Sequence, residues 1–166
     1  YSSRRQRQMC IRDSTKSIVA AEAYALHRDR LKSDAVAEYD PYIAHRLSGG
    51  QNISAADYIN MLATREKIWA DVQVMTQHFD ALILPTSPIL PPALRTLDTI
   101  EAKTATNASC LRNTSLSNYL DRPTITLPCH SLGTAPVGIS LMGPRFHDRH
   151  LLAIASGVEK VINTTR

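Results

Sequence analysis

Apolar and polar positions follow two different periods along the chain, and the switches between them mark out its elements. Residues 17–32, SIVAAEAYALHRDRLK, are rich in Ala and Leu with charge gathered toward the end, which predicts a helix. Asp40-Pro41 interrupts the next segment; Pro41 then opens a new helical turn, PYIAHRL, and Gly49-Gly50 ends it as a C-cap. The strongest helical pattern runs from Ser54 to about His78. Ser54 stands as its N-cap with Asp57 three residues on, and Tyr58, Leu62, Trp69, Val72 and Phe79 form one apolar stripe. Trp69 on that stripe is read as core packing rather than cofactor stacking.

The period then changes. Ala81-Leu82-Ile83-Leu84 is a continuous apolar run between Asp80 and Pro85, which predicts a short strand buried on both faces. Pro85 has no N–H and cannot continue an interior ladder. Residues 86–98 form a proline-rich loop, and residues 99–117 are Ala-rich and polar, helical or irregular. Thr124–Leu127 and Val137–Met142 predict two more strands, joined by CHSLGTAP in a hairpin-like connection. A last helix starts at Asp148, with Leu151, Leu152, Ile154, Ala155, Val158 and Ile162 mostly on one side. The mixture predicts an α/β fold, a mixed sheet covered by helices. Three strands are few for such a sheet, so the expectation is that the fold is incomplete in this chain.

Composition changes this picture at one end. Residues 1–14, YSSRRQRQMCIRDS, are dense in Arg and Gln without apolar periodicity, and they resemble a translated sequencing-adapter read-through. A disordered basic arm has the same composition. The domain expectation is therefore a non-native or disordered segment at 1–14 and a folded part at 15–166. Arg4, Arg5, Arg7 and Arg12 against Asp13 give the segment a net charge of +3, out of +4 for all 166 residues. The remainder lacks the clustered basic face of a nucleic-acid binder. No apolar run approaches the length of a membrane span. Cys10, Cys110 and Cys129 form no C-x-x-C pair, so neither a disulfide framework nor a zinc site is expected, and a reducing, cytoplasmic compartment fits.

A complete catalytic motif is missing. There is no G-x-x-x-x-G-K-[ST], G-x-G-x-x-G or H-E-x-x-H, and Gly138-Ile139-Ser140-Leu141-Met142 fails the G-x-S-x-G pattern at its last position. Ser140 is read as a strand residue. His147 and His150 lack a third ligand at a recognised spacing, so no metal is expected. Asp34 and Glu38, one helical turn apart, read as a solvated face, and Gly49-Gly50-Gln51 as a helix terminus. The sequons at Asn52, Asn107, Asn113 and Asn163 matter only in a secreted protein.

Taken in order, however, the later segments form a pattern. DALILPTSP is followed by LRNTSLSNYLDRPTITLPCH and then by GTAPVGISLMGPRFHDRHLLAIA. The order resembles the C-terminal part of the amidase signature family, over about residues 18–162. Glu22-Ala23, His27, Tyr39-Asp40-Pro41, Arg46-Leu47, Gly50 and Ala55-Ala56-Asp57-Tyr58 fit the same resemblance. Asp121 stands where many members have Gly, and His130 where many have Gly after Pro-Cys. The L-D and P-C-H forms are closer to a bacterial amidase subgroup than to transfer-RNA amidotransferase A subunits.

The resemblance implies a hydrolase that breaks the C–N bond of a small carboxamide. It implies a Ser nucleophile, a second Ser in a cis peptide bond, a Lys base and no metal or cofactor. A Ser hydroxyl must lose its proton to attack, so the Lys must be neutral, and backbone N–H groups hold the oxyanion. This machinery lies in a Gly/Ser-rich segment expected upstream, so no catalytic residue is assigned here and the chain alone is expected to be inactive. Thr86 and the R-N-T-S-L-S-N run from Arg112 to Asn118, in it Arg112, Thr114 and Asn118, are the candidates for the substrate-pocket wall, because ligands of open α/β sheets sit beyond strand carboxyl ends. A homo-oligomer is allowed. The alternatives are an amidotransferase A-subunit remnant and a non-enzymatic domain that binds nucleic acid through its basic arm.

Overall fold

The structure, a computed structural model, describes residues 2–164 and the side chains of residues 17–164. It divides into two units, residues 1–68 and 69–166.

In the first unit, α1 spans Ser2–Leu31 and α2 spans Pro41–Ser48. The Cys10 side chain lies outside the described residues. Asp40 caps α2 by accepting from the Tyr42 and Ile43 N–H groups, with Pro41 in the first turn where no N–H is needed. Gly49 ends α2 in right-handed geometry and a 3₁₀ turn, Gly49–Asn52, follows. The glycine pair therefore does more than stop a helix. Gly50 is buried against α1, where a Cβ would lie 2.0 Å from the Ala20 carbonyl oxygen and 2.7 Å from the Tyr24 Cβ.

Helix α3 spans Ala55–Thr76. Ser54 caps it as expected: its Oγ accepts from the Asp57 N–H at 3.1 Å and donates to the Asp57 carboxylate at 2.6 Å. Tyr58 Oη donates to Glu22 at 2.8 Å, and this hydrogen bond raises the phenol pKa above its ordinary value. Glu38 pairs with Arg30, consistent with a solvated face for Asp34 and Glu38. Phe79 falls beyond the end of α3 and is exposed, because the helix stops at Thr76 and the stripe stops with it.

The second unit holds the sheet. Strand β1 is Leu82–Pro85, β2 is Thr124–Pro128 and β3 is Gly138–Met142, in the order β1-β3-β2 with both pairs antiparallel. The connection from β2 to β3 is the expected hairpin. The stretch read as helical or irregular contains α4 (Ile100–Cys110) and α5 (Thr114–Leu120), and α6 spans Asp148–Thr164.

Alternation sorts the side chains onto two sheet faces. Ile125, Leu127, Ile139 and Leu141 share one face with α6, where Leu127, Leu141, Leu151 and Ala155 form the buried core. Thr124, Thr126, Ser140 and Met142 share the other. Helix α6 packs on β2 and β3. On β1 the aligned Ile83 is left 64% exposed, so the strand expected to be buried on both faces is an edge strand. An edge also explains why Pro85 can lie inside β1, since its missing N–H falls where the ladder demands less. Leu152, placed on the core side of the last helix by its spacing, points away and is 57% exposed.

Asp121, at the end of α5, has a left-handed backbone (φ 53). Many members of the resembled family have Gly there, and this is the helix terminus where Gly carries no Cβ penalty.

Candidate functional site

The register fixes where the first site forms. Pro85 pairs with Ile139 and Pro128 with Gly138, so the end of β1, the end of β2 and the start of β3 meet at one edge of the sheet. The chain leaves β1 at Thr86, whose N–H donates to the Gly138 carbonyl at 2.9 Å. Three hydroxyls converge there. Thr86 Oγ1 lies 2.7 Å from Ser140 Oγ and 3.2 Å from Thr126 Oγ1, and Thr126 Oγ1 lies 3.1 Å from Ser140 Oγ. Ser140 is buried. Gly138 leaves room for the cluster: a Cβ on it would come within 2.7 Å of Thr126 Cγ2 and 3.0 Å of Thr86 Oγ1.

A depression of about 410 Å³ opens over this cluster, lined at its polar side by Thr86, Thr126 and His130 and at its apolar side by Ile89, Leu90 and Val137. His130 Nδ1 lies 3.2 Å from the Val137 carbonyl. A carbonyl only accepts, so Nδ1 carries a proton. From the other side, Asn113 Nδ2 donates to the Pro85 carbonyl at 2.7 Å, which ties the start of α5 to the end of β1.

The four residues singled out from the sequence do not gather in one place. Thr86 lines the depression just described. Arg112 is exposed in the turn between α4 and α5, with its N–H donating to the Ser109 carbonyl. Thr114 opens α5, and its hydroxyl donates back to Leu111 at 3.4 Å. Asn118 lines a second depression, of about 450 Å³, with Ser117, Asp121, Arg122, Arg145 and Phe146. Residues 123 and 143, at the opposite end of the sheet from Thr86, hold that side together through the Gly143 N–H and the Pro123 carbonyl.

Sequence reasoning misses Thr126 and takes Ser140 for a plain strand residue. The available signal is alternation: Thr124, Thr126 and Ser140 fall on one face once the hairpin is assumed. Asn113 lies inside the candidate run from Arg112 to Asn118, and its tie to the Pro85 carbonyl brings that run to the end of β1.

The second depression contains a buried charge. Arg122 is 7% exposed, and its Nη2 donates to Thr76 Oγ1 at 2.8 Å and to Gln73 Oε1 at 3.3 Å. Among the described residues no carboxylate pairs with it, and its Nε has no partner. Burial lowers the guanidinium pKa from its ordinary value. Arg145 instead pairs with Asp121 and stacks over the Trp69 and Phe146 rings, at 5.1 and 4.8 Å. Thr76 spends its own proton on the Val72 carbonyl at 2.7 Å, so it serves Arg122 as an acceptor. Thr76→Val is therefore expected to lower stability by about 1.5–3 kcal/mol, the range for a lost hydrogen bond to a charged group. Urea denaturation of the purified protein measures it.

His150 Nε2 lies 3.2 Å from the Asp80 carboxylate. Among the described residues no group of three or more His, Cys, Asp or Glu is placed to hold a metal ion, and no helix is long and apolar enough to cross a membrane.

Comparison with known proteins identifies the chain's kin. A model of the amidase family matches residues 6–152, and the chain belongs to that family. It is 30% identical over 145 residues to 2-amino-5-chloromuconic acid deaminase of Comamonas testosteroni, covering 87% of this chain and 31% of that protein. It is 33% identical over 106 residues to a glutamyl-tRNA(Gln) amidotransferase A subunit, that of Sulfurisphaera tokodaii, covering 64% of this chain and 22% of that one. A crystal structure of an amidase superposes with a TM-score of 0.79 at 26% identity, covering 90% of this chain and 35% of the other. The chain thus spans about a fifth to a third of the length of these relatives. Its helices and small antiparallel sheet match part of the fold of amidase signature enzymes.

Proposed function

We propose that residues 15–166 are the C-terminal part of an amidase that hydrolyses a small carboxamide. The observation that carries this reading is the family match across residues 6–152, together with the hydroxyl-lined depression at the end of β1. In the reaction, a Ser hydroxyl supplied upstream attacks the carbonyl carbon while its proton passes by way of the cis-peptide Ser to a Lys amine. The C–N bond breaks, ammonia leaves with a returned proton, and water then cleaves the acyl-Ser ester to release the carboxylic acid. This chain contributes Thr86 to the wall of the pocket. Arg112, Thr114 and Asn118, which lie apart from Thr86, are proposed to border the substrate elsewhere in the intact enzyme. The chain by itself releases no ammonia, because the nucleophile and base lie elsewhere. The free thiols of Cys110 and Cys129 suit a reducing, cytoplasmic setting.

His130 supports an amidase over an amidotransferase A subunit, since the resemblance gives those subunits Pro-Cys-Gly at this place. The test is expression of the entire reading frame, upstream coding sequence included, and assay of ammonia release from a panel of aliphatic and aromatic carboxamides. Release of ammonia and carboxylic acid in equal amounts, lost on replacing one upstream serine, is expected. A folded full-length protein that releases no ammonia from any of them overturns the reading.

A further inference from the structure

The depression at the end of β1 can be characterised by counting its protons. Three hydroxyls, Thr86, Thr126 and Ser140, have three protons and three mutual contacts of 2.7, 3.1 and 3.2 Å. Ser140 is 2% exposed, so its proton must be spent inside the cluster. If Thr86 donates to Thr126, Thr126 to Ser140 and Ser140 to Thr86, every hydroxyl donates once and accepts once. The closed ring uses all three protons and leaves each oxygen a lone pair. Thr86 and Thr126 both line the depression.

The other polar groups on the wall are spent in the same sense. The Ser87 hydroxyl donates to the Ile89 carbonyl at 3.0 Å. His130 uses its Nδ1 proton on the Val137 carbonyl. Pro88, Pro128 and Pro136 have no N–H to offer, and no Lys or Arg lines the depression. The hydroxyl side of the wall therefore offers acceptors. A ligand satisfies it by bringing N–H groups of its own. A carboxylate, which only accepts, finds no free hydroxyl proton in that ring.

We propose that this depression binds the N–H₂ of a primary carboxamide, with Thr86 and Thr126 as acceptors and Ser140 as the positioning residue that turns their lone pairs outward. The proposal rests on the amidase reading and specifies which end of the substrate this wall holds. Ile89, Leu90 and Val137 then face the hydrocarbon part of the substrate.

The test uses the full-length protein and two probes, isobutyramide and N,N-dimethylisobutyramide, which share a carbonyl but differ in N–H. Binding is measured by saturation-transfer NMR and turnover by ammonia release. Thr86→Val is expected to weaken isobutyramide binding about three- to tenfold and to leave the dimethyl amide within about twofold, the scale of one neutral hydrogen bond. Thr86→Ser is expected to keep the wild-type preference. Ser140 touches no ligand, yet Ser140→Ala is expected to reduce the preference, because it frees a hydroxyl proton to point outward. If Ser140→Ala does not fold, the Val and Ser variants at residue 86 decide. An unchanged preference in a folded Thr86→Val variant overturns the proposal while ammonia release upholds the amidase reading. N–H-dependent binding lost in Thr86→Val, without ammonia release in the wild type, sustains the site and overturns the hydrolase. Binding of neither probe overturns the site.

Discussion

Replacing Gly50 by alanine is expected to be among the most damaging single changes in the first unit. The new methyl carbon would sit 2.0 Å from the Ala20 carbonyl oxygen, 2.6 Å from its carbon and 2.7 Å from the Tyr24 Cβ. Two of these atoms are backbone, so relief requires the 3₁₀ turn Gly49–Asn52 to move off α1 rather than a side chain to swing aside. Overpacking of this kind costs about 3 kcal/mol. Chemical denaturation of the intact protein should show that loss, and hydrogen exchange should show α2 and the turn opening first. Gly49→Ala is the control. Its Cβ meets nothing within 4 Å and its φ is −58, so the substitution is expected to be neutral or to stabilise by about 0.4–1 kcal/mol. Equal damage at both positions would contradict the close approach of Gly50 to α1.

Leu141→Ala is expected to cost about 2–5 kcal/mol. Leu141 is 1% exposed at the centre of β3, among Leu127, Leu151 and Ala155, and the helix above it cannot collapse into the space without breaking other contacts. Its ladder partner Ile83 gives an informative comparison. With β1 as a bare edge, Ile83→Ala should cost no more than about 0.5 kcal/mol, as for a surface site. If upstream segments of the intact amidase cover β1, the cost rises to about 2 kcal/mol or more. We expect the second result in the full-length protein. A cost near 0.5 kcal/mol there would contradict the larger sheet that the proposed function requires.

How far the sequence can be read depends on the range of each interaction. The Asp40 cap of α2, the Ser54 cap of α3 and the start of α6 at Asp148 depend on residues a few positions apart, and their patterns are legible. The turn residues of CHSLGTAP likewise announce the hairpin of β2 and β3. The motif order points to the family for the same reason, since it needs only the chain itself. The approach of Gly50 to α1 links positions thirty residues apart, and nothing local separates it from an ordinary helix stop.

At the candidate site the division is the same. Thr86 is visible as the polar residue that ends an apolar run at a proline. Its partners Thr126 and Ser140 lie 40 and 54 positions away, and only the strand order β1-β3-β2 brings the three together. By itself the sequence determined the helices at 17–32, Pro41 and Ser54 onward and after Asp148, the three strands, the caps of two helices and the family they resemble, because periodicity and capping act over a few residues; it left 99–117 open. The tertiary structure alone decided that β1 is an edge, that Ile83 and Leu152 face away from the core, and that three hydroxyls close into one cluster. Those outcomes depend on which strand pairs with which and on what α6 covers, and hydrophobic burial, being non-directional, does not specify partners in advance.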